Sequence, residues 1–137
     1  MAEGDVLVLR QKIHGMDASN YLTALERTLE GWTVTLGQTP EEEREALRTA
    51  RVVTGMELTP EDLAVAEELE LFACVFAGTS HLDLDAFAER GIAVTNASGV
   101  HGPNISEYVI GAMLGHAKRF GRARTQQDRR EWRLTPP

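Results

Sequence analysis

Short apolar runs alternate with helix-start signatures along most of this chain, and that alternation leaves little freedom of fold. Residues 4–9 suit a buried parallel strand, and residues 20–29 follow with Leu22, Leu25 and Leu29 at helical spacing, capped by Asp17 or Ser19. Residues 32–36 alternate as a second strand. Thr39-Pro40-Glu41-Glu42 then offers a capping hydroxyl, a proline at the first helical position and a carboxylate at the third; Thr59-Pro60-Glu61-Asp62 repeats the device. Between them residues 51–54 form the third strand, which Gly55 breaks. Residues 72–76 make the fourth strand, residues 83–90 a short helix closed by Gly91, and residues 92–95 the fifth strand.

Five strands, each joined to the next by a helix, predict a doubly wound parallel α/β sheet with right-handed crossovers and helices on both faces. Strand order 2-1-3-4-5, the flavodoxin-like arrangement, is the common solution for five strands. Residues 1–103 form this domain, and residues 104–137 supply one long helix over about 104–131 and a linker. Ile105, Val109, Met113 and Phe120 make an apolar stripe along that helix, with Gly115 and Gly121 as places for a kink or close packing. Asp83 and Glu107 fit first-turn helix positions, where a carboxylate complements the helix dipole.

At 137 residues the chain buries a core without disulfides, and Cys74, its only cysteine, reads as a small buried hydrophobe inside a strand. No signal-peptide pattern and no run of about 20 apolar residues occurs, which points to the cytoplasm and to no membrane partner. The net charge of −7 is uneven: residues 1–117 carry 7 basic and 19 acidic side chains, residues 118–137 carry 7 basic and 2 acidic. An acidic body disfavours nucleic acid, and the basic tail faces solvent or protein. Arg supplies 12 of the 14 basic residues, which with the acidic surplus suggests a halophilic, high-salt interior or a GC-rich genome.

Open parallel sheets bind ligands beyond the carboxyl ends of their strands. There Ala77-Gly78-Thr79-Ser80 follows the fourth strand, and its backbone amides read either as a seat for a carboxylate or as a plain strand-to-helix turn. The loop of residues 96–104, with Asn96, Ser98, two glycines, His101 and Pro103, adds to the first reading. His14, His81, His101 and His116 show no metal spacing, and no Ser-His-acid set can be singled out. His81 and His101 fall near the ligand edge, either touching a ligand or solvated.

The run "VFAGTSHLDLDAFAERGIAVTNASGVHGPNISEYVIGAML" closely resembles the end of the substrate domain of the D-isomer-specific 2-hydroxyacid dehydrogenases. The matching features are Leu82-Asp83-Leu84-Asp85, Arg90-Gly91-Ile92-Ala93-Val94-Thr95-Asn96, Gly99-Val100 and Ser106-Glu107; "DRREWRLTPP" is similar to the segment preceding the family's nucleotide-binding strand. The resemblance is strong over residues 72–137 and weaker before. It implies a two-domain enzyme reducing 2-keto acids to D-2-hydroxy acids with NAD or NADP. Ala77 and Gly78, with Thr79, would hold the substrate carboxylate; Thr54, Gly55 and Met56, as loop residues after the third strand, would shape the side-chain pocket. Val100 would sit near the substrate and Ile105 near the nicotinamide. The long helix would build a homodimer.

Ser80 stands where an aspartate is common in that family. Its G-x-G-x-x-G fingerprint and Arg, Glu and His catalytic trio lie beyond the position matching Pro137, so no catalytic residue is assigned and no metal is expected. The expectation is a substrate-binding portion truncated before its cofactor domain, inactive alone and binding no cofactor tightly. A phospho-receiver domain is disfavoured by Arg10-Gln11, Thr54-Gly55 and Asn96-Ala97 at the strand ends where its acids and lysine would stand. A non-catalytic dimerisation or ligand-sensing module remains the alternative.

Overall fold

A computed structural model describes residues 5–11 and 15–134; Gly4, Lys12 and His14 lie outside the described residues, as do residues 135–137. Five parallel strands are ordered β2-β1-β3-β4-β5, as the alternation predicts. They are β1 (Asp5–Val8), β2 (Thr33–Leu36), β3 (Val52–Gly55), β4 (Leu71–Cys74) and β5 (Ala93–Thr95). The helices between them are α1 (Ala18–Glu26), α2 (Pro40–Leu47), α3 (Pro60–Val65) and α4 (Leu84–Glu89). Two more follow β5: α5 (Gly102–Ala117) and α6 (Phe120–Asp128). The chain divides into two compact units, Met1–Ser98 and Gly99–Pro137.

Register explains the core. Leu7 pairs with Val53 and Val53 with Phe72, so three side chains of no exposure stand in one row on one face of the three central strands. Leu47 of α2, Leu63 of α3 and Phe87 of α4 cover that face, Phe87 stacking on Phe72 with ring centroids 5.4 Å apart. Each such side chain contributes about 1.5–3 kcal/mol by leaving water. Thr54, one residue along and therefore on the other face, is reached by Tyr21 of α1.

Both Thr-Pro starts work as the sequence implies. Asp62 N–H donates to Thr59 Oγ1 (3.1 Å) and Thr59 N–H donates to Asp62 Oδ2 (3.0 Å), a complete capping box. At α2 only half the box forms. Glu42 N–H donates to Thr39 Oγ1, but the Glu42 carboxylate takes the N–H of Gln38 instead. Asp17 occupies the N-cap of α1 without a side-chain cap bond.

The single long helix expected over residues 104–131 is corrected. It starts earlier, at Gly102, and breaks at Lys118 and Arg119. Arg119 adopts the left-handed conformation (φ 52°, ψ 44°), which costs a non-glycine residue about 1–2 kcal/mol. Lys118 N–H closes on Leu114 O and Arg119 N–H on His116 O, and the reversal brings Phe120 Cδ2 to 3.7 Å from where a Cβ on Gly115 would stand. That is an ordinary van der Waals distance, so the break, which falls between the two glycines and not at either, does not depend on a glycine at 115. Because α5 begins at Gly102, Glu107 is its sixth residue and not in its first turn, whereas Asp83 is the N-cap of α4 and accepts from Ala86 N–H. No helix among the described residues is long and apolar enough to cross a membrane.

Candidate functional site

The carboxyl ends of β3, β4 and β5 place three loops side by side. Thr54 and Gly55 are the last two residues of β3, paired with Ala73 and Cys74, and only Met56 follows the strand. This corrects the expectation that all three lie in the loop. Thr54 is 3 % exposed, and its hydroxyl is consumed within the fold: Oγ1 donates to Ala73 O (3.0 Å) and lies 3.1 Å from Tyr21 Oη. With its one proton given to Ala73, Thr54 must accept from Tyr21. Gly55 is required by packing, since a Cβ there would fall 2.5 Å from Leu9 Cδ1 and 2.9 Å from Leu9 Cβ.

Past β4 the chain turns at Ala77, Gly78 and Thr79. The fifth strand's loop pins this turn from one side: Ala97 N–H donates to Phe76 O (2.9 Å), and Asn96 Nδ2 donates to Ala77 O (2.9 Å). Leu82 N–H closes it on Thr79 O (3.0 Å). The amide N–H groups of Ala77, Gly78 and Thr79 donate to no acceptor among the described residues. A Cβ on Gly78 would meet nothing within 4 Å, and Gly78 does not have a positive φ. Three consecutive amides at a strand's carboxyl end, one on an exposed glycine, can receive an anion.

His81 is exposed and bonded to the loop that follows β3. Its Nε2 lies 2.8 Å from Met56 O, and Cys74 Sγ lies 3.5 Å from the same oxygen. Cys74 is buried, as its strand position implies. Gln11, three residues past β1, reaches the same loop through Met56 N–H and Glu57 N–H. Neither Gln11 nor Tyr21 carried a signal in the sequence, whereas Asn96 carried its place in a glycine-containing loop and at the end of a run that matches the family. Among the described residues the two with shifted pKa values lie at the other end of the sheet: Arg51 hydrogen-bonds Glu70 in a two-point pair, raising its own pKa and lowering that of the carboxyl. No group of metal ligands occurs among the described residues.

Val100 and Ile105 belong to the second unit, where each is 60 % exposed. Ile105, Asn104 and Tyr108 border a shallow depression there. None of the residues of α5 is buried.

The model of the D-isomer specific 2-hydroxyacid dehydrogenase catalytic domain matches residues 7–132. The chain belongs to that family. Among its relatives, D-3-phosphoglycerate dehydrogenase of Methanocaldococcus jannaschii is 30% identical over 102 residues, covering 72% of this chain and 20% of the relative. D-3-phosphoglycerate dehydrogenase of Escherichia coli (strain K12) is 33% identical over 95 residues, covering 67% and 23%. A family member of known structure from Aeromonas salmonicida superposes with a TM-score of 0.73 at 26% identity, over 98% of this chain and 42% of that one. This chain of the 2-hydroxyacid dehydrogenase family thus spans less than half the length of these proteins. Members of the family are NAD-dependent oxidoreductases, and solved neighbours bind NAD.

The sequence has no G-x-G-x-x-G. At the ends of β2 and β3, where a phosphate could approach a glycine, the chain fills the space itself: a Cβ on Gly37 would lie 2.5 Å from Glu43 N, and one on Gly55 would strike Leu9.

Proposed function

We propose that residues 77–79 seat the carboxylate of a small 2-keto or D-2-hydroxy acid, as the substrate-binding part of an enzyme that interconverts the two with NAD(P)H. The observation that carries this reading is the run of three amides without an acceptor at Ala77, Gly78 and Thr79, beside a glycine whose Cβ position opens on free space. Neutral main-chain dipoles suit the carboxylate common to keto acid and hydroxy acid, and so bind both sides of the reaction. The whole protein's reaction transfers hydride to the keto carbon and a proton to its oxygen, giving the hydroxy acid and the oxidised nicotinamide. The hydride donor is attributed to a part of the family's architecture other than these residues, because the sequence has no G-x-G-x-x-G.

Pyruvate titrated into the 15N-labelled chain tests the reading. The amides of Ala77, Gly78 and Thr79 are expected to shift together, and Gly78→Ala, whose added methyl meets nothing in the fold, to keep the thermal midpoint while weakening binding about tenfold or more. Unmoved amides, or a Gly78→Ala variant that binds equally well, would refute it.

The apolar exposure of α5 supports a homodimer built on that helix: Ile105, Tyr108, Ile110, Met113 and Leu114 are each more than half exposed. A helix apolar around its circumference needs cover on more than one side. Sedimentation of the chain should give twice the monomer mass, and Ile110→Asp should return it to monomer; a monomeric parent chain would end the idea.

A further inference from the structure

We propose that Gln11 and His81 are positioning residues that clamp the Met56–Glu57 peptide pair, leaving the β3 side of the site no polar main-chain group to offer a ligand and so favouring a substrate with an apolar, unphosphorylated side chain. The substrate half of this inference rests on the carboxylate seat proposed above; the clamp does not.

All four main-chain polar groups of Met56 and Glu57 have side-chain partners from distant parts of the sequence. Met56 N–H and Glu57 N–H both donate to Gln11 Oε1, at 2.7 and 3.3 Å, and Gln11 Nε2 donates to Glu57 O at 3.0 Å. Reversing the Gln11 amide would set its NH2 against two N–H donors, so its orientation is fixed by this pairing. Met56 O accepts from His81 Nε2 at 2.8 Å and from the Cys74 thiol at 3.5 Å. A carbonyl oxygen only accepts, so His81 must carry its proton on Nε2. Phe76 meets the same ring edge-on, with centroids 5.2 Å apart.

A loop residue pair would ordinarily leave some of these groups to water or ligand; here the fold takes them all. What residues 54–57 retain for a ligand is the thioether side chain of Met56 and the carboxylate of Glu57, because the Thr54 hydroxyl is also spent. No Lys or Arg occurs in residues 54–57, 75–82 or 96–101. A phosphate on the substrate would meet a carboxylate and no cation from these loops, and Arg10, which precedes Gln11, is already paired with Glu43 at 3.7 Å; a phosphate thereby loses binding, whereas a short alkyl group loses nothing there.

The clamp is tested on the ligand-free chain. At about pH 8.5, above the ordinary imidazole range, the 15N shifts of His81 are expected to show Nε2 protonated. His81→Phe, which keeps a ring against Phe76 but removes the donor, should speed amide exchange at Met56 and Glu57 about tenfold while Val53 stays protected, and His81→Gln, which restores an N–H at similar reach, should bring it back. An Nδ1-protonated ring in the parent chain, or exchange in His81→Phe unchanged within about twofold, overturns the clamp whether or not any ligand binds. Titration with 2-oxobutanoate and with 3-phosphonooxypyruvate then tests the preference. The alkyl acid is expected to bind more tightly, and equal or tighter binding of the phosphorylated one overturns it. If neither acid moves the Ala77–Thr79 amides, the carboxylate seat fails and takes the substrate preference with it, while the clamp is judged on tautomer and exchange.

Discussion

Thr54→Val separates a strut from a ligand contact. Valine has the same shape, so the substitution removes one hydroxyl and two hydrogen bonds, to Ala73 O and from Tyr21. Each is worth about 1 kcal/mol net, and leaving the Tyr21 hydroxyl and a strand carbonyl short of a partner at a site 3 % exposed sets the loss near the upper end. The methyl gained returns up to about 0.8 kcal/mol. The expected net destabilisation is about 1–2 kcal/mol. Tyr21→Phe should cost about 1 kcal/mol, because Thr54 keeps its bond to Ala73. The double variant should fall short of the sum by about 1 kcal/mol, since the Tyr21–Thr54 bond is lost only once. Urea unfolding followed by far-ultraviolet circular dichroism measures all three. Additive losses, or a Thr54→Val variant within about 0.5 kcal/mol of the parent, would show that the hydroxyl is not tied into the fold as described.

Gly37→Ala should be far more damaging than a one-methyl change in the β2–α2 connection suggests, because Gly37 is buried and the new Cβ would stand 2.5 Å from Glu43 N and 2.6 Å from Glu43 Cα, backbone atoms that cannot turn aside. A loss of about 3 kcal/mol is expected by urea unfolding, and a neutral result would mean that α2 sits further from Gly37. Glu70→Gln should flatten the acid limb of the stability curve. Arg51 holds the Glu70 carboxyl below the ordinary carboxylate range chiefly by hydrogen bonding, against a smaller opposing effect of burial. A carboxyl more acidic folded than unfolded adds stability above its unfolded pKa of about 4.3 and loses it as the pH falls through the folded value. The parent chain should therefore lose more stability than the variant on acidification from about pH 5, and parallel curves would contradict the pairing.

The fold was legible because its signals are local. Thr59-Pro60-Glu61-Asp62 makes its capping box within four residues, and Leu7, Val53 and Phe72 each lie in an apolar run that needs no partner to be read as a strand. The break at Arg119 was illegible for the converse reason: a left-handed turn at arginine has no sequence signature, and glycines on either side pointed to the wrong places. Gly55 reads as the end of the third strand by residue type alone, yet β3 continues into it, held there by pairing with Cys74 of β4, 19 residues away. At the site, the glycine turn after β4 announced itself. The bonds that shape its neighbour did not, since Gln11 lies 45 residues from Met56 and His81 lies 25 away. Type and spacing say nothing about contacts made only by the sheet's closure.

The glycines at the strand ends distinguish internal from external demand. Gly37 and Gly55 have their space filled by Glu43 and Leu9, so the fold alone accounts for both. Gly78 has neither a crowded Cβ position nor a positive φ, and nothing in the described chain requires a glycine there. The amides around it are not a stability defect either. Gly78 is exposed and Ala77 and Thr79 are half-buried, so water can meet their N–H groups at little cost, while no buried side-chain polar atom among the described residues lacks a partner. The fold satisfies its interior and fills the space at two neighbouring glycines from within, but supplies no packing reason of its own for the glycine at 78. Under the proposed reading a carboxylate would replace weakly held water on three adjacent amides, and an added methyl at Gly78 is the smallest change that tests this without touching the fold.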